Sequence, residues 1–211
     1  MNYFITGTDT GCGKTFVTSL LVRAGRSVGL DTIGAKPICC GSREDVEILS
    51  ASSGEAEPLH ALNPIWFKTA AAPQASALFG EKDPDYDEAI AAMRLLAYRH
   101  DNVLCEGAGG WMVPLRSGYT TADFAAQLGW PVVIVARNRL GVLNHTLLTV
   151  ESVRACGLDL AGVILNDMDG GTDPASSTNA QMLADILGQP LLLQVPAAAK
   201  QVQLPLNFLR R

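Results

Sequence analysis

The sequence predicts an α/β fold: a mostly parallel central sheet with helices on both faces, formed by one domain spanning residues 1–211. Three observations carry this expectation. Apolar segments at 2–6, 32–35, 103–105, 132–136, 160–165 and 191–195 alternate with stretches whose apolar residues recur at helical spacing. The run Val132-Val133-Ile134-Val135 is apolar at every position, the pattern of a parallel strand covered on both faces. The length of 211 residues suits a single core, since chains of this size bury roughly 70% of their unfolded surface.

In chain order, residues 2–6 form a short apolar strand, and a glycine-rich turn leads from it into a helix at 16–28. A strand at 32–35 follows, then a helix at 44–53 whose first turn carries Glu44 and Asp45, where carboxylates favour the helix N-terminus. Residues 58–84 are the least regular stretch and are punctuated by prolines. Helices at 86–99, 121–128, 142–155 and 179–187 alternate with the remaining strands, and Gly157 and Gly188 act as helix stops. Residues 167–177 read as a polar, glycine-rich loop; neither it nor 58–84 reads as a linker, and there is no internal repeat.

Composition excludes several function classes. Hydrophobic residues make up 48% of the chain, yet no uncharged apolar run approaches the ~20 residues a membrane span needs. The start of the chain lacks a basic region followed by an apolar stretch and cleavage site, so the expected location is the cytoplasm. Five cysteines, at 12, 39, 40, 105 and 156, form an odd count without Cys-x-x-Cys spacing, which suits reduced thiols. A net charge of −5 makes no electrostatic case for nucleic acid.

The chemistry concentrates in three segments. Gly7-Thr8-Asp9-Thr10-Gly11-Cys12-Gly13-Lys14-Thr15, between a strand and a helix, is a complete phosphate-binding loop. Glycines let backbone N–H groups converge on the β- and γ-phosphates, Lys14 reaches their oxygens, and the Thr15 hydroxyl can ligate Mg²⁺. The fold is therefore P-loop NTPase-like, and the ligand is a nucleoside triphosphate. Lys36, in Lys36-Pro37-Ile38-Cys39-Cys40-Gly41, follows the second strand at the edge where parallel sheets place ligands; its plainer reading is a solvated lysine at a strand end. Glu106 ends the apolar Asn102-Val103-Leu104-Cys105 strand and precedes Gly107-Ala108-Gly109-Gly110, so it is placed for Mg²⁺ while Gly109 permits close approach of a ligand. A strand-end glutamate before an ordinary turn is the alternative.

These blocks, with Leu140-Gly141-Val142-Leu143-Asn144-His145-Thr146-Leu147-Leu148-Thr149, occur in an order that resembles the dethiobiotin synthetases, over residues 2–196. The resemblance implies an ATP-dependent ligase that forms the cyclic urea of dethiobiotin from 7,8-diaminononanoate and CO₂. It implies that Gly11, Cys12, Gly13, Lys14, Thr15 and Phe16 bind the ATP phosphates, that Thr15, Asp45 and Glu106 surround Mg²⁺, and that Lys14 and Lys36 are the catalytic pair stabilising developing charge. Asn166 corresponds to the adenine-reading residue of the family, beside Asp167 and Pro196. Gly141, Val142, Leu143 and Asn144 correspond to a helix start that binds the substrate carboxylate across a homodimer interface. His145 reads either as a general base or as a structural hydrogen-bonder, the latter being commoner at such a position; His60 and His100 have no partner nearby in sequence and receive no role.

Departures from the family pattern fall on the substrate side. Cys40 stands where a hydroxyl usually contacts the diamine, and a thiol is a weaker hydrogen-bonding group. Gln74, in Ala70-Ala71-Ala72-Pro73-Gln74-Ala75-Ser76, replaces a histidine, and Ala197 and Ala198 after Pro196 are small, so an open adenine pocket with a looser nucleotide preference is expected. Two rivals differ in class. A ParA/MinD-like switch ATPase carries a signature lysine where this chain has Asp9, and usually a basic surface or amphipathic tail, whereas residues 204–211 are short and broken by Pro205. A cobyrinate-type amide synthase needs a glutaminase domain for which 211 residues leave no room.

Overall fold

A computed structural model describes residues 1–168, 170, 174–189, 191–205, 208 and 209. The elements run β1 (Asn2–Gly7), α1 (Lys14–Ser27), β2 (Thr32–Ala35), β3 (Ile38–Cys40), α2 (Glu44–Ser52), α3 (Leu59–Leu62), β4 (Ile65–Phe67), α4 (Pro73–Ser76), a 3-10 turn (Ala77–Phe79), α5 (Tyr86–Arg99), β5 (Asn102–Glu106), β6 (Pro114–Arg116), β7 (Tyr119–Thr120), α6 (Thr121–Leu128), β8 (Val132–Arg137), α7 (Val142–Ala155), β9 (Leu160–Asn166), α8 (Pro174–Leu187) and β10 (Leu193–Val195).

Six strands form one sheet in the order β10-β9-β8-β1-β5-β2, and every neighbouring pair is parallel. The chain leaves β1 for β2 on one side and crosses after β5 to β8 on the other. The order therefore reverses about β1, and in such sheets the crevice at the strands' carboxyl ends is the ligand site. Alternation along the strands divides the core in two. Tyr3 and Ile5 of β1, with Val133 and Val135 of β8, pack against Val17, Leu20, Leu21 and Val22 of α1. Phe4, Val132 and Ile134 face the other way, onto Met93 and Leu96 of α5, Phe124 of α6 and Val150 of α7. This is why β8 is apolar throughout.

Helix starts differ. Asp85 caps α5 by accepting from the amides of Asp87 and Glu88, and Thr120 with Asp123 forms a capping box on α6. By contrast α1 and α7 begin at Gly13 and Gly141, both left-handed (φ 86 and 92), with no side-chain cap and no acidic residue in the first turn. At α1 the first N–H groups are left for something else, whereas at α7 the Val142 N–H already donates to the Arg139 carbonyl at 3.1 Å.

Several expectations need correction. Residues 58–84 are more regular than their composition suggests, containing α3, α4, the 3-10 turn and β4, which pairs in parallel with β3 outside the main sheet. The antiparallel β6–β7 pair was not anticipated. Helix α8 starts at Pro174 rather than 179, and β10 starts at Leu193 rather than 191. Of the expected loop at 167–177, residues 169 and 171–173 lie outside the described residues, as do 206, 207, 210 and 211 of the tail. Phe208 and Leu209 are buried; Phe208 stacks on Tyr3 with ring centroids 4.5 Å apart, and its carbonyl accepts from the Tyr3 hydroxyl at 2.7 Å. That part of the tail belongs to the core.

Candidate active site

The turn between β1 and α1 wraps its backbone around the start of the helix. Gly13 is obligatory by space as well as by φ, because a Cβ there would lie 2.2 Å from Asn166 Nδ2. Lys14 is 6% exposed and its ammonium donates to the Asp9 carbonyl at 3.3 Å, folded over the turn.

Three further elements deliver side chains to the same point. Glu106, at the end of β5 and fully buried, accepts at Oε1 from the Thr15 hydroxyl (2.8 Å) and the Lys36 ammonium (2.9 Å). Lys36 also donates to Asp45 in the first turn of α2. Burial works against the Lys36 charge, but the carboxylates of Glu106 and Asp45 outweigh it and hold the ammonium well above the ordinary lysine range. Burial likewise pushes the Asp45 carboxyl upward, and the Lys36 charge with hydrogen bonds from Lys36 and Thr15 reverses this and holds it below the usual range. The backbone of Lys36 is fixed from outside: its N–H donates to the Leu62 carbonyl (3.0 Å), and its carbonyl accepts from the buried Asn63 amide (2.9 Å), which also reaches the Ile65 carbonyl (2.8 Å). Asn63 lies in the irregular-looking stretch and carries no motif, so sequence reasoning missed it.

Lys36, Asp45, Thr10 and Gly109 form a wall shared by two cavities. One, of about 560 Å³, is bordered by Gly11, Gly13, Lys14, Thr15, Phe16 and Glu106. The other, of about 440 Å³, is lined mainly by small and apolar groups: Ile38, Cys39, Cys40, the residues of the 70–73 turn, Ala108 and Val113. Burial drives the Cys40 thiol up to about 11, so it is a neutral group at pH 7.

Most of the remaining candidates are not part of this wall. Cys12, with Arg137, Arg139, Val142 and His145, lines a small cavity of about 110 Å³, which shares Thr10 with the wall. Of the 141–144 group only Val142 borders that cavity; Gly141 and Asn144 are exposed, Leu143 packs partly against Ala136 and Leu165, and within one chain none of the four reaches the Cys40 cavity. Asn166 and Asp167 close β9 beside the turn: Asn166 donates to the Cys12 carbonyl at 3.1 Å, and the Asp167 carboxylate accepts from Asn138 (2.6 Å) and Gln194 (2.8 Å). Pro196 is exposed after β10, and Gln74 borders a separate cavity with Glu81 and Arg116. His100, given no role from sequence, lies between Asp31 (2.9 Å) and Glu57 (3.2 Å) at the opposite end of the sheet, partners 69 and 43 residues away.

Comparison with known proteins shows the family and the fold. A family model described as an AAA domain matches residues 1–203. The ATP-dependent dethiobiotin synthetase of Anaeromyxobacter dehalogenans strain 2CP-C is 44% identical over 92% of this chain and 88% of its own length. That of Akkermansia muciniphila is 35% identical over 90% of each chain. Among solved structures, the signal recognition particle receptor FtsY of Elizabethkingia anophelis superposes with a TM-score of 0.59 at 16% identity, covering 97% of this chain and 61% of that one. MinD of Pyrococcus horikoshii gives 0.58 at 19% identity over 93% and 82%. These two show the shared α/β fold. By the extent and level of its sequence identity, the chain belongs to the ATP-dependent dethiobiotin synthetase family.

Proposed function

We propose that this chain closes the cyclic urea of dethiobiotin on 7,8-diaminononanoate, using CO₂ and ATP. One amine adds to CO₂ and releases a proton to give a carbamate; a carbamate oxygen takes the γ-phosphoryl group and ADP leaves; the second amine attacks the carbonyl carbon, phosphate departs and the ring closes. The observation that carries this reading is Lys36 on the wall between a phosphate-side cavity and a largely apolar one. A carbamate and a γ-phosphate are both anions, and the reaction needs a cation at the boundary where they meet. Lys36 fills that place, with Lys14 on the phosphate side. Gly11, Gly13, Thr15 and Phe16 hold the triphosphate at the uncapped start of α1; the base lies toward Asn166, Asp167 and Pro196. The Cys40 cavity takes the diamine.

Thr15, Asp45 and Glu106 fit Mg²⁺. Their oxygens converge, and Glu106 Oε2 is buried without a hydrogen-bond partner. Among the described residues no group of three His, Cys, Asp or Glu converges, which suits an ion that takes one or two carboxylates and otherwise phosphate oxygens and water. Bound there, it supplies neutralisation of phosphate charge.

The α7 start offers the amides of Leu143 and Asn144 to a carboxylate, the Val142 N–H being taken by the Arg139 carbonyl, but it lies away from the Cys40 cavity of its own chain, so the reading includes a homodimer in which a second copy supplies it. Exposed Leu140 (83%), Leu148 (63%) and Met112 (61%) near that helix support such a contact. Among the described residues no helix is long and apolar enough to cross a membrane, and the five cysteines are free thiols; both support a cytoplasmic site of action.

The test is a turnover assay with purified protein, diaminononanoate, bicarbonate, ATP and Mg²⁺, following ADP and dethiobiotin together. Product that depends on all four components is expected. ATP hydrolysis indifferent to the diamine would overturn the reading in favour of a switch ATPase.

A further inference from the structure

We infer that Asn166 is a positioning residue for the phosphate-binding turn: it holds the turn in its triphosphate-binding shape whatever base the nucleotide carries. The inference rests on the nucleotide-binding reading above and concerns how the turn is kept in place. Helix α1 begins at Lys14 with Gly13 as its cap, and the Gly13 carbonyl accepts the first helical bond from Val17 at 3.0 Å. The Cys12 carbonyl stands one residue before that cap, outside the reach of the helix ladder, and needs a donor from elsewhere. Asn166 provides it. Its side-chain amide reaches across 154 positions of chain to Cys12 O at 3.1 Å, in a buried contact, and Asn166 as a whole is 1% exposed.

The fit is tight on both sides. The amide nitrogen stands where a Cβ on Gly13 would be, 2.2 Å away, so turn and asparagine are shaped to each other. Asn166 is itself held in a stiff frame. It pairs in register with Arg137 of β8 and Val195 of β10, and its carbonyl accepts from the Asn138 N–H at 2.9 Å. Asn138 in turn donates to Asp167 and to the Ser176 carbonyl, and accepts from Asn179 at 2.8 Å. A donor anchored in this way transmits the rigidity of the sheet to a turn whose glycines would otherwise leave it loose.

A group that reads the base and a group that shapes the turn respond differently to a ligand without a base. The experiment measures Kd for Mg·ATP and for Mg·tripolyphosphate by calorimetry, on the wild type and on Asn166→Ala and Asn166→Leu, the latter keeping the approximate volume and losing the donor without adding a charge. Loss of one buried hydrogen bond predicts about a fivefold weakening, equal for both ligands, in both variants. Weakening for ATP with tripolyphosphate unchanged overturns the inference and makes Asn166 a base reader only. Hydrogen exchange of the amides at residues 8–14 gives a readout independent of any ligand: faster exchange there, with the Asn102–Glu106 strand unchanged, is expected in the variants. Unchanged exchange in a folded variant overturns the inference. If the wild type itself binds neither ligand, the nucleotide reading fails, and the exchange data still decide the role of Asn166.

Discussion

Lys36→Met is the substitution that tests the arrangement of the site most directly. Lys36 is 7% exposed and its ammonium contacts Glu106, which has no exposed surface, at 2.9 Å. Removing one partner of a buried pair costs about 3–5 kcal/mol because the other charge is left desolvated and unpaired. The Asp45 side chain is 43% exposed, so its share is screened by solvent and the low end, about 3 kcal/mol, applies. For a chain of this length that lowers Tm by roughly 6–12 °C, measurable by calorimetry at pH 7 with chelator present. The pH dependence has a definite sign. The Lys36 pKa is raised, so its contribution is complete below the ordinary value of 10.5 and is lost as pH rises through the folded value; the Asp45 pKa is lowered, so its contribution is complete above 3.8 and is lost on acidification. The gap between wild type and variant is therefore level between about pH 4 and 10.5 and narrows outside that window. Adding Glu106→Gln to Lys36→Met removes the stranded charge and recovers part of the loss. ATP binding persists while turnover falls by at least about a hundredfold, as when a contact to developing charge is lost. A variant that melts with the wild type, or a double variant less stable than the single one, would refute the reasoning.

Cys40→Ser restores a hydroxyl in the apolar cavity: KM for the diamine is expected to fall about two- to tenfold with KM for ATP unchanged, and equal KM values would remove Cys40 from the substrate site. Because burial raises the Cys40 thiol to about 11, alkylation by iodoacetamide at pH 7.5 should be far slower than that of the exposed Cys156. Phe208→Ala removes a 6%-exposed ring stacked on Tyr3 and should destabilise the fold by about 3 kcal/mol in urea titration; an unchanged midpoint would show that the tail does not hold the α1 face of the sheet.

The main sheet was legible because its signal is redundant. A strand apolar at every position, such as Val132–Arg137 up to Ala136, has few alternatives to burial on both faces. The short pairs β3–β4 and β6–β7 were not, since two or three residues carry no period and Pro114 argues against a strand. The early start of α8 was hidden by Pro-Ala-Ser-Ser-Thr, a weak helix-forming run. There Pro174 suits the first turn, and the hydroxyls of Ser177 and Thr178 bond back to its carbonyl instead of competing for a turn. In the site, the phosphate turn and Glu106 follow from local pattern. Asn63 and the Asn166 clamp do not, because each is defined by a carbonyl on a distant segment, and no local pattern names that partner.

One signal was present in the sequence and needs only the capping rules to extract it. Asp85 with Glu88 and Thr120 with Asp123 place acceptors at helix starts, and the structure shows those acceptors used on the helices' own amides. Gly13 and Gly141 place none, and neither helix compensates with an acid in its first turn. A start capped by glycine is less stable than one with a side-chain cap by roughly a few tenths of a kcal/mol. The sequence bears that penalty at α1, beside the phosphate-side cavity, and at α7, beside the exposed apolar residues of the proposed subunit contact. Under the proposed reading a triphosphate and a carboxylate take the amides at these two points. The short α3 and α4 also start without a side-chain cap or a first-turn acid, so it is the left-handed glycine ahead of a full-length helix, and not the missing cap by itself, that sets α1 and α7 apart.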